Sequence, residues 1–299
     1  MSPKMEGMFT ALATPFYGEQ IDEKGLKFSI QRQLKAGVDG LVILGTTGEA
    51  SALTREERRT VIQLTVAEVA GQIPVIVGCS SNCTAAAVEL AQEAKQLQAD
   101  LCLSVAPYYC KPTQEGIIQH FKTLAEQGGL PVILYNNPGR SAVPITVESV
   151  QTLAVHPKIV GIKDVSGDAM QISQLTASVP TSFAVLCGDE VTVVPWMSVG
   201  AAGIISGGAN AAPQAMVQLV GLVQQGRWSE ARELHQRLLP LFHFLAVESN
   251  PIPLKALLTQ MTLPSGGCRL PMTDLSSRFE TELIHLTQQL TNEWAVVHG

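Results

Sequence analysis

The sequence predicts an α/β protein, a closed (β/α)8 barrel over residues 1–225 followed by an appended helical segment over 226–299. Three observations carry this. Short apolar runs alternate with helix-period stretches eight times along the chain. The runs are rich in β-branched residues and lack polar alternation, as parallel strands covered on both faces do. The length of 299 residues suits a barrel that folds as one unit. Eight units fit a closed barrel better than an open sheet, although spacing alone leaves a doubly wound sheet open.

Taken in order, the first run is Phe9 to Phe16, followed by a turn at Gly18 and a helix from Glu23 to Lys35. Leu41 to Leu44 is the second strand, and Thr54 with Glu57 forms a capping box that opens a helix to about Ala70. Strands at Pro74–Gly78 and Leu101–Ala106 precede helices at Asn82–Leu97 and Gln114–Glu126. The fifth and sixth strands, Pro131–Tyr135 and Ile159–Val165, precede helices near Thr146–Val155 and Asp168–Ser178. Phe183–Cys187 and Gly203–Ser206 complete the barrel, each with a helix after it. Three further helices, at Arg227–Val247, Pro251–Gln260 and Ser276–Trp294, make up the appended segment.

Composition narrows the function. Hydrophobic residues make up 46% and charged residues 15%, so sparse a charge that some apolar surface is expected to be covered by subunit contacts. The net charge of −6 argues against a general electrostatic hold on nucleic acid or an anionic membrane. No apolar run reaches the length of a membrane span, and Met1 to Met8 lacks the basic-then-apolar order of a secretory leader, so the expected compartment is the cytoplasm. The six cysteines form no C-x-x-C pair, and none of the six histidines falls at a strand end, so neither a disulfide framework nor a metal site is expected.

The chemistry-bearing residues gather at the C-terminal ends of the strands, where barrels of this kind build their sites. Lys163 lies in the apolar sixth strand, and removing an ammonium from water favours the neutral amine, a nucleophile for carbonyl carbon. The plainer alternative is a lysine that reaches solvent or pairs with Asp164. Tyr108 and Tyr109 follow the fourth strand and Tyr135 closes the fifth, which places three of the four tyrosines at this end. An imine needs a group that moves protons at the carbonyl oxygen, and Tyr135 relayed through Thr47 and Tyr109 would serve. Thr46 and Thr47 sit between Gly45 and Gly48, where backbone can approach a small ligand. Arg140, in the turn after Tyr135, has the fork geometry for a carboxylate.

These residues stand in Gly45-Thr46-Thr47-Gly48-Glu49, Pro107-Tyr108-Tyr109, Tyr135-Asn136-Asn137-Pro138-Gly139-Arg140, Gly161-Ile162-Lys163-Asp164 and Asn250-Pro251-Ile252-Pro253-Leu254-Lys255. In this order and spacing, from Gly7 to about Leu275, the chain resembles the dihydrodipicolinate synthase and N-acetylneuraminate lyase family of pyruvate-dependent class I aldolases. The resemblance implies that Lys163 forms a Schiff base with pyruvate, with no separate cofactor, and that the enamine attacks an aldehyde. Tyr135 would be the proton donor and acceptor. Thr47 would link it to Tyr109, which in family members reaches the neighbouring subunit's site. Thr46 and Thr47 would bind the pyruvate carboxylate, and the backbone of Ile205 would face pyruvate.

Within the family, Arg140 and the paired threonines imply the branch that uses L-aspartate 4-semialdehyde, in diaminopimelate and lysine biosynthesis. The alternatives are cleavage of N-acetylneuraminate or of a 2-keto-3-deoxy sugar acid, and a non-catalytic barrel that senses a keto acid. A homotetramer built as a dimer of dimers is implied, with the two small molecules as its only other partners. In family members inhibited by lysine the effector sits near positions matching Ala50, Ser51, Arg55, Arg58, Asn82, Ala86 and Tyr108. Sensitive bacterial members have a glutamate at the position of Ala86 and imidazoles at those of Arg55 and Arg58, so weak or absent feedback is expected here.

Overall fold

The computed structural model describes residues 4–294. Eight parallel strands close a barrel: β1 (Gly7–Ala11), β2 (Gly40–Ile43), β3 (Val75–Gly78), β4 (Leu101–Val105), β5 (Val132–Asn136), β6 (Ile159–Asp164), β7 (Ala184–Cys187) and β8 (Gly203–Ser206). Each strand pairs with its neighbours in the chain, and β8 returns to β1. The closure is tight. A Cβ on Gly203 would lie 1.9 Å from the carbonyl oxygen of Gly7, and its φ of +159 is one that residues with side chains rarely adopt.

Alternation along the strands sorts the core into two parts. Phe9, Val42, Ile76, Leu103, Ile133, Tyr135, Leu186 and Ile205 meet inside the barrel, whereas Met8, Leu41, Val77, Cys102, Leu134 and Ile162 face the helices. Lys163 is in register with Tyr135 on one side and Leu186 on the other, so it belongs to the inward row.

The surrounding helices are α1 (Glu23–Ala36), α2 (Arg55–Val69), α3 (Thr84–Gln96), α4 (Gln114–Gln127), α5 (Val147–Ala154), α6 (Ala169–Ser178), α7 (Val193–Ser198) and α8 (Pro213–Gln224). Their starts are chemically marked: Asp22, Thr113, Thr146 and Asp168 each accept a backbone N–H of the first turn, and Thr54 and Glu57 complete the capping box read from the sequence. The appended helices are α9 (Trp228–Phe244), α10 (Ile252–Gln260) and α11 (Glu280–Trp294), with α9 packed on α8 and α11 against α9 and α10.

The first strand departs from the sequence expectation. It runs Gly7–Ala11 and does not continue to Phe16. Pro15 has no N–H to give a ladder, and the chain leaves the barrel to form a small hairpin, Phe16–Tyr17 against Gln20–Ile21, turned at Gly18. Phe16 N donates instead to Ser265 O, which fastens this hairpin to the segment after α10. The third helix starts at Thr84 and not at Asn82, since Cys83 still has an extended backbone and serves as the N-cap. Among the described residues no helix is long and apolar enough to cross a membrane, and no cluster of His, Cys, Asp and Glu is arranged to hold a metal ion.

His120, on α4, is a structural histidine. Its Nδ1 lies 3.0 Å from Thr84 Oγ1, its Nε2 is buried without a partner among the described residues, and burial pulls its pKa down to about 4. The unfolded chain therefore binds a proton between about pH 6.5 and 4 that the folded chain refuses, and stability rises with pH across this window. Urea unfolding from pH 7 to 4 should show stability falling on acidification, and His120→Gln should flatten that decline. An unchanged slope would mean that other groups set it.

Candidate active site

β6 delivers Lys163 to the mouth of the barrel, where it is 8% exposed and opens onto a cavity of about 250 Å³. Its Nζ lies 4.8 Å from the centroid of the Tyr135 ring, which the adjacent β5 presents in register. No carboxylate among the described residues pairs with Lys163. Asp164 cannot do so, because the next residue on a strand faces the other way. Its carboxylate instead accepts from Asn136 Nδ2 at 2.6 Å, Ser166 N at 2.7 Å and Gln171 Nε2 at 3.1 Å, fixing the ends of β5 and β6 together.

Thr46, Thr47, Arg140, Asn137 and Asn250 line the same cavity. Tyr135 Oη accepts from Asn137 Nδ2 at 2.8 Å, which leaves the phenolic proton without a protein acceptor among the described residues. Thr47 Oγ1 accepts from Asn250 Nδ2 at 3.0 Å, and Arg140 Nη2 donates to Asn250 O at 3.2 Å. Asn250 thus joins the loop after β2 to the short helical turn, Pro138–Ser141, that carries Arg140. A second chamber of about 310 Å³ opens beside the first, sharing Gly45, Thr46, Leu103, Tyr135, Arg140 and Asn250 with it. Tyr108, Arg58 and Glu49 line this outer chamber.

Two sequence-derived candidates stand apart from this cluster. Tyr109 is 88% exposed and lines neither chamber, held out by a left-handed backbone at φ +72. Ile205 is fully buried in the inner cluster, in register with Phe9, and its side chain does not line the cavity.

The outer chamber is braced by charges. Lys255 Nζ, on α10, lies 2.5 Å from Glu49 Oε1 and 2.5 Å from Gly267 O, and 4.0 Å from the centroid of the Phe16 ring. Burial lowers the pKa of this ammonium and the Glu49 carboxylate opposes the shift. Glu49 Oε2 accepts from Arg269 N, and the Arg269 guanidinium donates to both oxygens of Glu57, holding that carboxyl down at about 2. The appended segment is therefore part of the mouth of the barrel.

The chain matches the model of the Dihydrodipicolinate synthetase family over residues 4–290. The chain belongs to that family. A relative from Protochlamydia amoebophila, named 4-hydroxy-tetrahydrodipicolinate synthase, is 42% identical over 299 residues, covering 99% of each chain. The solved 4-hydroxy-tetrahydrodipicolinate synthase from Methylacidiphilum fumariolicum SolV superposes with a TM-score of 0.95 at 38% identity, covering 98% of both chains. A chloride-inhibited dihydrodipicolinate synthase from Acinetobacter baumannii, solved in complex with pyruvate, gives a TM-score of 0.93 at 39% identity, covering 95% of this chain and 98% of that one.

For this member of the family, sequence reasoning missed the roles of Asn137, Asn250, Glu49 and Lys255. One signal was present: Lys255 interrupts the apolar run Ile252–Leu258 just as Lys163 interrupts its strand. Its burial is met by a carboxylate, whereas that of Lys163 is not. Removing one partner of a buried pair typically costs about 3–5 kcal/mol. Lys255→Met should lower the thermal midpoint accordingly, and adding Glu49→Gln should recover part of the loss. A single variant as stable as the parent would show that the pair does not hold the mouth.

Proposed function

We propose that the protein condenses pyruvate with L-aspartate 4-semialdehyde through a Schiff base on Lys163, the reaction for which its relatives are named 4-hydroxy-tetrahydrodipicolinate synthase. The observation that carries this is a buried lysine, unpaired among the described residues, in a cavity that also presents a phenol and an arginine. The amine of Lys163 attacks the C2 carbonyl of pyruvate and expels water. The imine loses a methyl proton to give an enamine, whose carbon attacks the aldehyde, and the new alkoxide takes a proton. Tyr135 protonates the departing carbonyl oxygen, accepts the methyl proton as the enamine forms and gives it to the new alkoxide. Thr46 and Thr47 hold the pyruvate carboxylate, with the backbone of Ile205 facing pyruvate. The substrate amine then attacks the imine carbon, closes a ring and releases Lys163. The covalent imine does the work that a cofactor would otherwise do.

Arg140 lines both chambers, so a carboxylate entering from the outer one meets it before reaching Lys163. This favours the amino-acid aldehyde over the sugar aldehydes of the lyase branch. The barrel and the appended helices act as one catalytic unit, since Asn250 supports both Thr47 and Arg140. The assembly proposed is a homotetramer in the cytoplasm, in which the exposed Tyr109 enters the neighbouring site and completes the link through Thr47 to Tyr135. Sedimentation of the intact protein tests the tetramer.

Pyruvate consumption with L-aspartate 4-semialdehyde, measured beside N-acetylmannosamine and a small sugar aldehyde, tests the reaction. Turnover with the semialdehyde alone is expected; use of a sugar aldehyde in its place would overturn the role of Arg140. Lys163→Ala should abolish the borohydride-trapped pyruvate adduct. Arg140→Ala should raise the KM for the semialdehyde more than that for pyruvate, and equal losses would count against it.

Feedback by lysine should be weak. Arg58 lines the outer chamber and donates to Gly78 O at 2.8 Å and to Ala50 O at 3.4 Å, while Arg55 pairs with Glu93. A cationic effector in the outer chamber would meet Arg58, Arg140 and Arg269, which line it, while Arg55 lies outside it. Initial rates over a lysine series should stay flat through the micromolar range; half-inhibition within it would refute this.

A further inference from the structure

We propose that Glu190 receives the α-ammonium of the second substrate and accepts a proton from it when the ring closes. This rests on the reaction proposed above, in which the acceptor aldehyde is itself an amino acid. A zwitterion calls for an anion in the cavity as well as a cation, since a charge moved out of water without a partner is costly. Arg140 is the cation. The carboxylates that line the cavity with Lys163 are those of Asp189 and Glu190. Glu49 belongs to the outer chamber, and both its oxygens are taken, by Lys255 and by Arg269 N.

Glu190 is built differently from both of the other carboxylates. Its Oε1 accepts from Ser206 Oγ at 2.8 Å and from Gly208 N at 2.8 Å, which anchors the carboxylate to the end of β8. No described residue donates to Oε2, and no described cation pairs with Glu190. Asp189 spends Oδ1 on Val191 N, and burial raises the pKa of its carboxyl, which disfavours its charged form. Asp189 Oδ2 also has no donor among the described residues, but its Oδ1 is held only by its own turn; Glu190 is the carboxylate anchored by two donors at the end of β8, with Oε2 left unspent.

The space beside it points the same way. Gly207 lines the cavity with an ordinary backbone, φ −77, so its conformation does not require glycine. A Cβ there would meet Thr47 Oγ1 at 3.7 Å and Glu190 Oε1 at 3.8 Å, ordinary contacts, so packing does not require glycine either. What the glycine provides is an opening between Thr47 and Glu190 into the cavity that holds Lys163.

The chemistry of ring closure uses this carboxylate. After the carbon–carbon bond has formed, the substrate ammonium gives one proton to Glu190 and becomes a free amine. Its lone pair attacks C2 of the protonated imine, forming the N–C2 bond. A proton on that nitrogen passes to Nζ, and the C2–Nζ bond breaks with its electron pair remaining on Nζ. The substrate nitrogen keeps the double bond of the cyclic imine and sheds its remaining proton to solvent, and Glu190 returns its own proton to Lys163.

The test compares two aldehydes. Succinic semialdehyde retains the aldehyde and carboxylate of L-aspartate 4-semialdehyde but has no amine. In Glu190→Gln, the KM for L-aspartate 4-semialdehyde should rise roughly ten- to hundred-fold, as expected for losing a hydrogen bond to a charged group. Inhibition by succinic semialdehyde and borohydride trapping of pyruvate on Lys163 should stay at parental levels. Equal weakening toward both aldehydes, or no change toward either, overturns the proposal. If Glu190→Gln also loses pyruvate trapping, Gly207→Ala probes the same space while leaving the anchoring bonds to Ser206 and Gly208 intact; the same selective loss is expected, and a non-selective one overturns it. A parent protein that ignores L-aspartate 4-semialdehyde altogether would instead refute the underlying reaction.

Discussion

The site depends first on the alternation of β6 within a closed barrel. Side chains along a strand face opposite ways, so Ile162 and Asp164 turn toward the helices and Lys163 turns inward. Closure leaves no sheet edge from which an inward lysine could escape to bulk water. Its ammonium must be paired, be neutralised or reach a cavity, and only the cavity is present around Lys163 among the described residues. The same register brings Tyr135 beside it. One strand register thus places both the lysine and the phenol, and Asp164 on the outer face holds that register through Asn136, Gln171 and Ser166.

A second constraint concerns the residues that strands do not hold. Thr47 and Arg140 lie beyond strand ends, on segments whose conformation the barrel alone does not define. Their order comes from far along the chain: Asn250 bonds to both, and the buried Glu49–Lys255 pair ties the loop after β2 to α10. The segment from Asn250 to Arg269 therefore acts as a support for groups that must be placed to within a fraction of an ångström. Without it, the barrel would still present Lys163 and Tyr135, but the loops carrying Thr47 and Arg140 would lack these ties.

What could be read from the sequence follows from the same physics. The strands were legible because each is a short, doubly buried apolar run. Lys163 was legible because a charge in such a run is anomalous. Capping chemistry placed the start of α2 at Thr54, and α6 begins beside the expected Asp168, whose side chain caps it. The first strand was over-extended because Leu12, Ala13 and Phe16 are buried, yet they pack outside the ladder, and periodicity does not distinguish burial in a barrel from burial under a loop. Asn137, Asn250 and Glu190 were not singled out because asparagine and glutamate usually lie at the surface. Their significance is a matter of partners that are distant in sequence, such as Asn250 and Thr47. Tyr109, expected in a relay with Thr47 and Tyr135, is 88% exposed within one chain and lines neither chamber.

The charges of this sparsely charged chain fall into two groups. Glu49 with Lys255, Glu57 with Arg269, and Glu93 with Arg55 and Arg59 satisfy one another within the fold. Lys163, Arg140 and Glu190 line one cavity and form no ion pair among the described residues. In a buried pair mutual attraction offsets part of the desolvation cost, and removing one partner is costly, so the pair braces what it joins. An unpaired charge keeps its desolvation cost until a ligand supplies the missing partner. The cavity holds an amine without an ion-pair partner among the described residues, a guanidinium at its mouth and an anchored carboxylate, and a carbonyl compound bearing both an acid and an amine would complement all three.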